Sequence, residues 1–318
     1  MLLAVFRIIL VFFLVNCLAE ADQKQTPIKI AINDWASQTV LSYSIGSLLQ
    51  KQGYTVKYQN ITLKQQWGGL RLGHVHLQLE VWQYSMIEDF NRMLSNKAIL
   101  DAGTHAAKTR EDWWYPVYIK QFCPGLPGWK ALNDCSQLFS TPESGSKGVY
   151  YTGPWISDEG IRIRVFKLNY RLISLDAVTL NKLLIRATSN KQPILLLNWT
   201  PNWTDNRVSG EFVEFPDFAP ECITDPTWGV NKTETKDCGA PKHGWLKKAA
   251  NPEFPVNWPC AYQFIQNINF TSDMVAEAAA LYEYDKFTYK ESAKKWLEKY
   301  KTSWQQWIPE CMSAVSSE

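Results

Sequence analysis

The 318-residue sequence predicts an α/β fold of two lobes with a ligand cleft between them. Strand-like and helix-like segments alternate through the first hundred residues, which is the rhythm of a parallel sheet with helices on both faces. The same rhythm resumes after about residue 113, so two α/β units follow one another. Tryptophans cluster where strands end, and clefts between lobes and the C-terminal ends of parallel strands are where ligands bind.

The elements follow in order. Ile28-Lys29-Ile30-Ala31-Ile32 alternates apolar and polar residues as a strand does. Thr39 to Gln52 reads as a helix with Val40, Ile45, Leu48 and Leu49 as its apolar stripe, stopped by Gly53. Tyr54 to Tyr58 is a second strand, Gln65 to Leu72 a short helix ended by Gly73, Val75 to Val81 a third strand, and Met86 to Leu94 a third helix. Further on, Trp113 to Lys120 is strand-like and Gly148 to Tyr151 is a strand. Ser157 to Phe166 and Asp176 to Ala187 read as helices, and Leu-rich Gln192 to Asn198 as a buried strand. Residues 216 to 260 are rich in Pro, Gly and Cys and read as a stapled excursion, after which Ser272 to Tyr284 and Tyr289 to Ile308 form two closing helices. The expected organisation is a leader at 1–21, a first lobe beginning with 25–112, a second lobe at 113–215, and a return to the first lobe over 216–318.

The leader is read from one early charge, Arg7, within apolar Met1–Phe6 and Ile8–Val15, followed by small residues at Ala19 and Ala21 near the cleavage point. The apolar stretch is short for a membrane span and ends in Glu20, Asp22 and Lys24. Asn16 stands where a lipid-anchor signal at Cys17 needs a small residue. An exported protein, periplasmic or extracellular, is therefore expected. Removal of the leader leaves six cysteines, an even number that reads as a disulfide framework with fifteen connectivities. Sequence proximity favours Cys123–Cys135, Cys222–Cys238 and Cys260–Cys311. No Cys-x-x-Cys spacing supports a metal, and no cofactor is implied. Asn-x-Thr sequons begin at Asn60, Asn198, Asn202, Asn231 and Asn269, candidate glycan sites only in a eukaryotic secretory pathway.

A net charge of +2 gives no field for nucleic acid. Catalytic signatures such as Gly-x-Ser-x-Gly, His-Glu-x-x-His and a phosphate-binding Gly loop do not occur, and Asp158-Glu159 at a helix start reads as dipole-stabilising, so a binding protein and not an enzyme is expected.

Fifteen tryptophans are the compositional outlier. Trp296, Trp304 and Trp307 fall at helical spacing with Leu297, Tyr300 and Ile308 and read as packing, and Trp67, Trp203, Trp228, Trp245 and Trp258 also read as structural. Trp35 and Trp82 follow strands, Trp113 and Trp114 open one, Trp155 precedes a helix in Gly153-Pro154-Trp155-Ile156-Ser157, and Trp199 ends the Leu-rich strand. A quaternary ammonium cannot donate a hydrogen bond, but indole faces satisfy its charge and its methyl surface together. The N–H groups at Ile156 and Ser157, opening a helix, form an expected pocket for a carboxylate. Trp113 and Trp114 alternate along one strand, so at most one of them faces a ligand. A carbohydrate-binding protein is the alternative, because sugars also stack on Trp.

These residues carry a resemblance. Glu80-Val81-Trp82, Trp113-Trp114-Tyr115-Pro116, Gly153-Pro154-Trp155, Trp199-Thr200-Pro201-Asn202-Trp203 and the closing Ala293-x-x-Trp296-Leu297 resemble motifs of the glycine betaine/choline substrate-binding proteins of ABC importers, a branch of the type II periplasmic binding proteins. The resemblance spans roughly residues 28 to 310. It implies two lobes that close on the ligand, an aromatic box built on Trp82, Trp155 and Trp199 with Trp35 added as in choline-type binders, and a permease/ATPase complex as partner. Ser37 stands where choline binders carry an acid, with Asp34 just before Trp35, which tilts the expected ligand towards glycine betaine over choline, carnitine or trimethylamine oxide. His74 and His76 replace aspartates usual near the third strand.

Overall fold

The computed structural model describes residues 26–155 and 159–313. The expected leader, and the expected ligand contacts Ile156 and Ser157, lie outside the described residues. Nine strands form one continuous sheet: β1 (Ile28–Ile32), β2 (Val56–Asn60), β3 (Leu77–Trp82), β4 (Leu100–Pro116), β5 (Gly148–Thr152), β6 (Tyr170–Ser174), β7 (Leu196–Thr200), β8 (Gly210–Phe212) and β9 (Gly244–Ala250). Their order is β2-β1-β3-β9-β4-β7-β5-β6, with β8 pairing β4 off this path. β1 runs parallel to β2 and β3, and β5 runs parallel to β6 and β7. β4 and β9 are antiparallel to their neighbours.

β4 is the member that both lobes share. Its residues Leu100 to Thr109 pair with β9, whereas Arg110 to Pro116 pair with β7 and β8. One apolar core surrounds the first half, from Ile28 and Val40 to Trp258, Phe270 and Trp296. Two smaller cores cover the faces of the second half, one around Trp113, Tyr150 and Phe215, the other around Trp114, Leu180 and Trp203. Val213, Phe215 and the Cys222–Cys238 disulfide lie with the second half, and the chain rejoins the first sheet at β9. We therefore propose that the lobes part inside β4 near Arg110 and again just before Gly244.

Several elements differ from the sequence reading for physical reasons. The strand expected at Trp113–Lys120 begins at Leu100, and from Val117 the chain turns into a 3-10 helix. Its first half buries Ala102 and then, in alternation, His105, Ala107 and Thr109, too small and polar a set to show in a hydrophobicity pattern. β9 lies within the stretch read as an excursion, and its Lys247-Lys248 hides a central strand. Lys248 is fully buried and donates its Nζ to the carbonyls of Gln266 and Ile268, while Lys247 pairs with Asp101. β6 was not anticipated either. The helices at Ala36–Lys51, Gln65–Arg71, Gln83–Ser95, Ala177–Ser189 and Ser272–Glu283 sit where periodicity put them, and a capping box between Thr288 and Glu291 opens Tyr289–Lys299.

The sulfurs pair as Cys123–Cys135, Cys222–Cys238 and Cys260–Cys311, the set that proximity favoured. Trp296 and Trp307 are buried in the first core, and Trp304 packs against it. His76 is structural: its Nδ1 accepts from the Lys29 backbone N–H at 3.1 Å, and burial, with Lys29 nearby, pushes its pKa down to about 4. Asn198 and Asn202 are buried and hydrogen-bonded to one another, so their sequons are closed to glycans in the folded chain. No helix among the described residues is long and apolar enough to cross a membrane.

Candidate functional site

Two turns from strand to helix build one wall of the site. Trp35 follows β1 and caps the helix Ala36–Lys51, and Trp82 ends β3 and caps the helix Gln83–Ser95. Both residues are extended, with φ −117° and −89°, and neither side chain caps its helix. Their indole N–H groups converge on a single carboxylate. Trp35 Nε1 donates to Glu80 Oε2 at 2.7 Å, Trp82 Nε1 donates to the same oxygen at 3.0 Å, and Ser37 Oγ adds a third bond at 3.0 Å. Glu80 is fully buried in β3, and burial raises its pKa to about 7 even though the three donors pull it down. Below it, Gln38, Gln78, Gln66 and Asn33 form a buried hydrogen-bonded floor.

The facing wall comes from the second lobe. Trp199 stands on β7 directly opposite Glu111 of β4, so the ring and the carboxylate project side by side. Trp155 follows β5 and meets Trp199 edge to face, with centroids 5.0 Å apart and planes at 80°. Two hydrogen bonds cross the cleft beside these rings: Trp155 Nε1 donates to Asp34 Oδ1 at 2.7 Å, and the Ser85 backbone N–H donates to Glu111 Oε2 at 3.2 Å.

Between the walls lies a cavity of about 30 Å³ lined by Trp35, Trp82, Trp155 and Trp199 with Leu63, Ser85, Met86, Glu111 and Leu197. Among the described residues, Glu111 is the only ionisable side chain on its lining. A larger vestibule of about 180 Å³ adjoins it, sharing Leu63, Ser85 and Trp155 and adding Tyr84, Arg162 and Lys236 among others. There Arg162 is locked in place: it pairs with buried Asp112 at 2.7 Å and donates to Tyr84 Oη at 2.7 Å and to the Cys238 carbonyl at 3.0 Å. Among the described residues no group of three His, Cys, Asp or Glu is placed to hold a metal.

Of the expected site residues, the fold brings Trp35, Trp82, Trp155 and Trp199 to one cavity. Trp113 and Trp114 are not part of it, which corrects the expectation that one of them faces the ligand. Trp113 stacks on Tyr150 at 3.8 Å in one core, and Trp114 is buried in the core on the other face with its ring against Gly210. Both faces of this strand are covered, so alternation leaves neither ring a cleft to face. Glu80, bonded to two of these rings, and Glu111, on the cavity lining, are not among the residues expected from the sequence. Glu80 carried a signal, a lone carboxylate in the apolar run Leu77–Trp82, and Glu111 carried none.

Residues 26–299 match the model of the substrate-binding domain of ABC-type glycine betaine transport systems. The chain belongs to this family. It is a substrate-binding protein of the quaternary-ammonium class of ABC transport systems, and the family is one of binding proteins, not of enzymes. A trimethylamine N-oxide-binding protein of Pelagibacter ubique (strain HTCC1062) is 36% identical over 297 residues, 89% of this chain and 91% of that protein. Among solved structures, the glycine/betaine/L-proline-binding protein of Borrelia burgdorferi superposes with a TM-score of 0.71 at 14% identity, covering 91% of this chain and 99% of its own. An ABC-transporter choline-binding protein in complex with choline gives 0.69 at 14% identity, covering 92% and 97%. At these identities the structures speak for the two-lobed fold alone.

Proposed function

We propose that this protein captures trimethylamine N-oxide, in the cage of Trp35, Trp82, Trp155 and Trp199, and delivers it to a permease/ATPase complex in the membrane. One observation carries the choice of ligand: Glu111 stands among the indole faces of a small cavity. The rings take the methylated, positively charged nitrogen, at on the order of 2 kcal/mol for each desolvated cation–π contact. Four such contacts sum to about 8 kcal/mol before the cost of association, so the bond to Glu111 and the burial of the methyl groups supply the rest of the affinity. The N-oxide oxygen and Glu111 then share one proton in a charge-assisted hydrogen bond. A betaine carboxylate entering the same cavity meets Glu111 as a like charge. The relative from Pelagibacter ubique supports the same ligand.

Glycine betaine, placed first from the sequence, is the second reading and is favoured by the family's own description. The family and the leader expected at 1–21 both support a place of work outside the cytoplasmic membrane. Titration calorimetry with trimethylamine N-oxide, glycine betaine, choline and carnitine separates these readings. Trimethylamine N-oxide is expected to bind tightest. Tighter binding of glycine betaine reverses the order, and heat from a sugar with none from any methylated amine overturns the cage.

A further inference from the structure

We propose that Glu80 is a positioning and specificity-determining residue that supplies the negative charge of the cage from behind its rings, with the bound ligand's cationic nitrogen as its missing counter-ion. The inference rests on the cage reading above and deepens it. Three features of the structure carry it. Both first-lobe cage indoles direct their N–H at one oxygen of this carboxylate, so Glu80 sets the tilt of the two rings together. Ser37 holds that same oxygen, and Glu80 Oε1 is buried without any hydrogen-bond partner. No ion pair neutralises the carboxylate among the described residues, although it is fully buried.

The charged and titratable groups of the elements packed on β3 are committed elsewhere. On β1, Lys29 Nζ donates to the Gly73 carbonyl. On β9, Lys247 pairs with Asp101 and Lys248 is bound to the carbonyls of Gln266 and Ile268. On the helix Gln83–Ser95, Arg92 pairs with Asp89, and Glu88 and Asp89 line the vestibule. His105 of β4 is engaged through both ring nitrogens, with the Leu79 carbonyl and the Phe270 N–H, and burial holds its pKa well below the usual value, so it stays neutral. Lys51, at the far end of the helix Ala36–Lys51, lies over Trp304. The other acids at the cage are Glu111, which lines the cavity itself, and Asp34, which accepts from the Trp155 indole.

A buried charge without a partner is costly, and a cation arriving on the far side of the rings relieves that cost. A carboxylate accepting an indole N–H also enriches the ring in electrons, which strengthens the hold of its face on a cation. The consequence is linkage. The carboxylate form holds the ligand, so affinity is full above the raised pKa of about 7 and falls as pH drops through it.

The test uses tetramethylammonium, which has no titrating group, together with trimethylamine N-oxide. Calorimetry on the parent and on Glu80→Gln runs between about pH 5.5 and 8.5. The parent's affinity for tetramethylammonium is expected to fall towards tenfold per pH unit below about pH 7, whereas Glu80→Gln binds at least tenfold more weakly at pH 8 and shows no such slope. A purely structural role would lower the melting temperature without flattening the pH profile. Should Glu80→Gln not fold, the parent still decides: titration near pH 7 in buffers of different ionisation enthalpy is expected to show proton release on binding, and Glu111→Gln is expected to retain it. Parent binding with no proton release, or a Glu80→Gln variant that matches the parent in affinity and slope, overturns the role of Glu80 and leaves the cage standing. A parent that binds neither compound overturns both.

Discussion

Replacing Trp199 with alanine removes one face of the cage and leaves the others in place. The ring is half-buried and touches both the first core and Trp155, so the variant loses two contributions. A desolvated cation–π contact is worth about 2 kcal/mol, or roughly a thirtyfold change in affinity. The lost edge-to-face contact lets Trp155 tilt and adds up to about 1 kcal/mol. The expected result is a 30- to 100-fold rise in the dissociation constant for trimethylamine N-oxide, about 2 to 3 kcal/mol. β7 keeps its pairing with β4 and β5 through backbone bonds, so the circular dichroism spectrum should not change. Titration calorimetry on the parent and Trp199→Ala reads the effect directly. A variant that folds and binds within twofold of the parent refutes the cage, because no arrangement of the remaining rings replaces a face on that side.

Two further outcomes follow from contacts outside the rings. Asp34→Ala removes the acceptor of the Trp155 indole across the cleft and is expected to weaken binding about tenfold, near 1.4 kcal/mol; in a Trp155→Phe background the same change should cost little, and independent effects in that double-mutant cycle would show that the bond does not hold the lobes together. Asp112→Asn breaks the buried pair with Arg162, which also holds Tyr84 and the Cys238 carbonyl, and is expected to lower unfolding free energy by about 3–5 kcal/mol in urea titration; a loss under about 1 kcal/mol would contradict the burial argument.

Much of the first lobe was legible because its strands and helices bury large aliphatic residues at regular spacing, as in Ile28–Ile32 and Leu77–Trp82. β9 was hidden because a central strand carries two lysines whose charges are met only by distant carbonyls and Asp101. The first half of β4 was hidden because alanine, threonine and histidine carry its alternation. The tryptophans divide for a related reason. Strand-end position selected Trp35, Trp82, Trp155 and Trp199, which line one cavity, but the same cue selected Trp113 and Trp114, whose strand is covered on both faces by cores that assemble from Tyr150, Phe215 and Leu180 far along the chain. Glu80 stood in a quoted motif, yet its role needed the indole of Trp35, forty-five residues away in sequence.

The most direct measurement is the structure of the protein bound to trimethylamine N-oxide. The cage requires the methylated nitrogen within about 6 Å of the ring centroids of Trp35, Trp82, Trp155 and Trp199, with the oxygen turned to Glu111. A ligand found instead in the vestibule beside Tyr84 and Arg162, or in the cage with its oxygen turned away from Glu111, would contradict it.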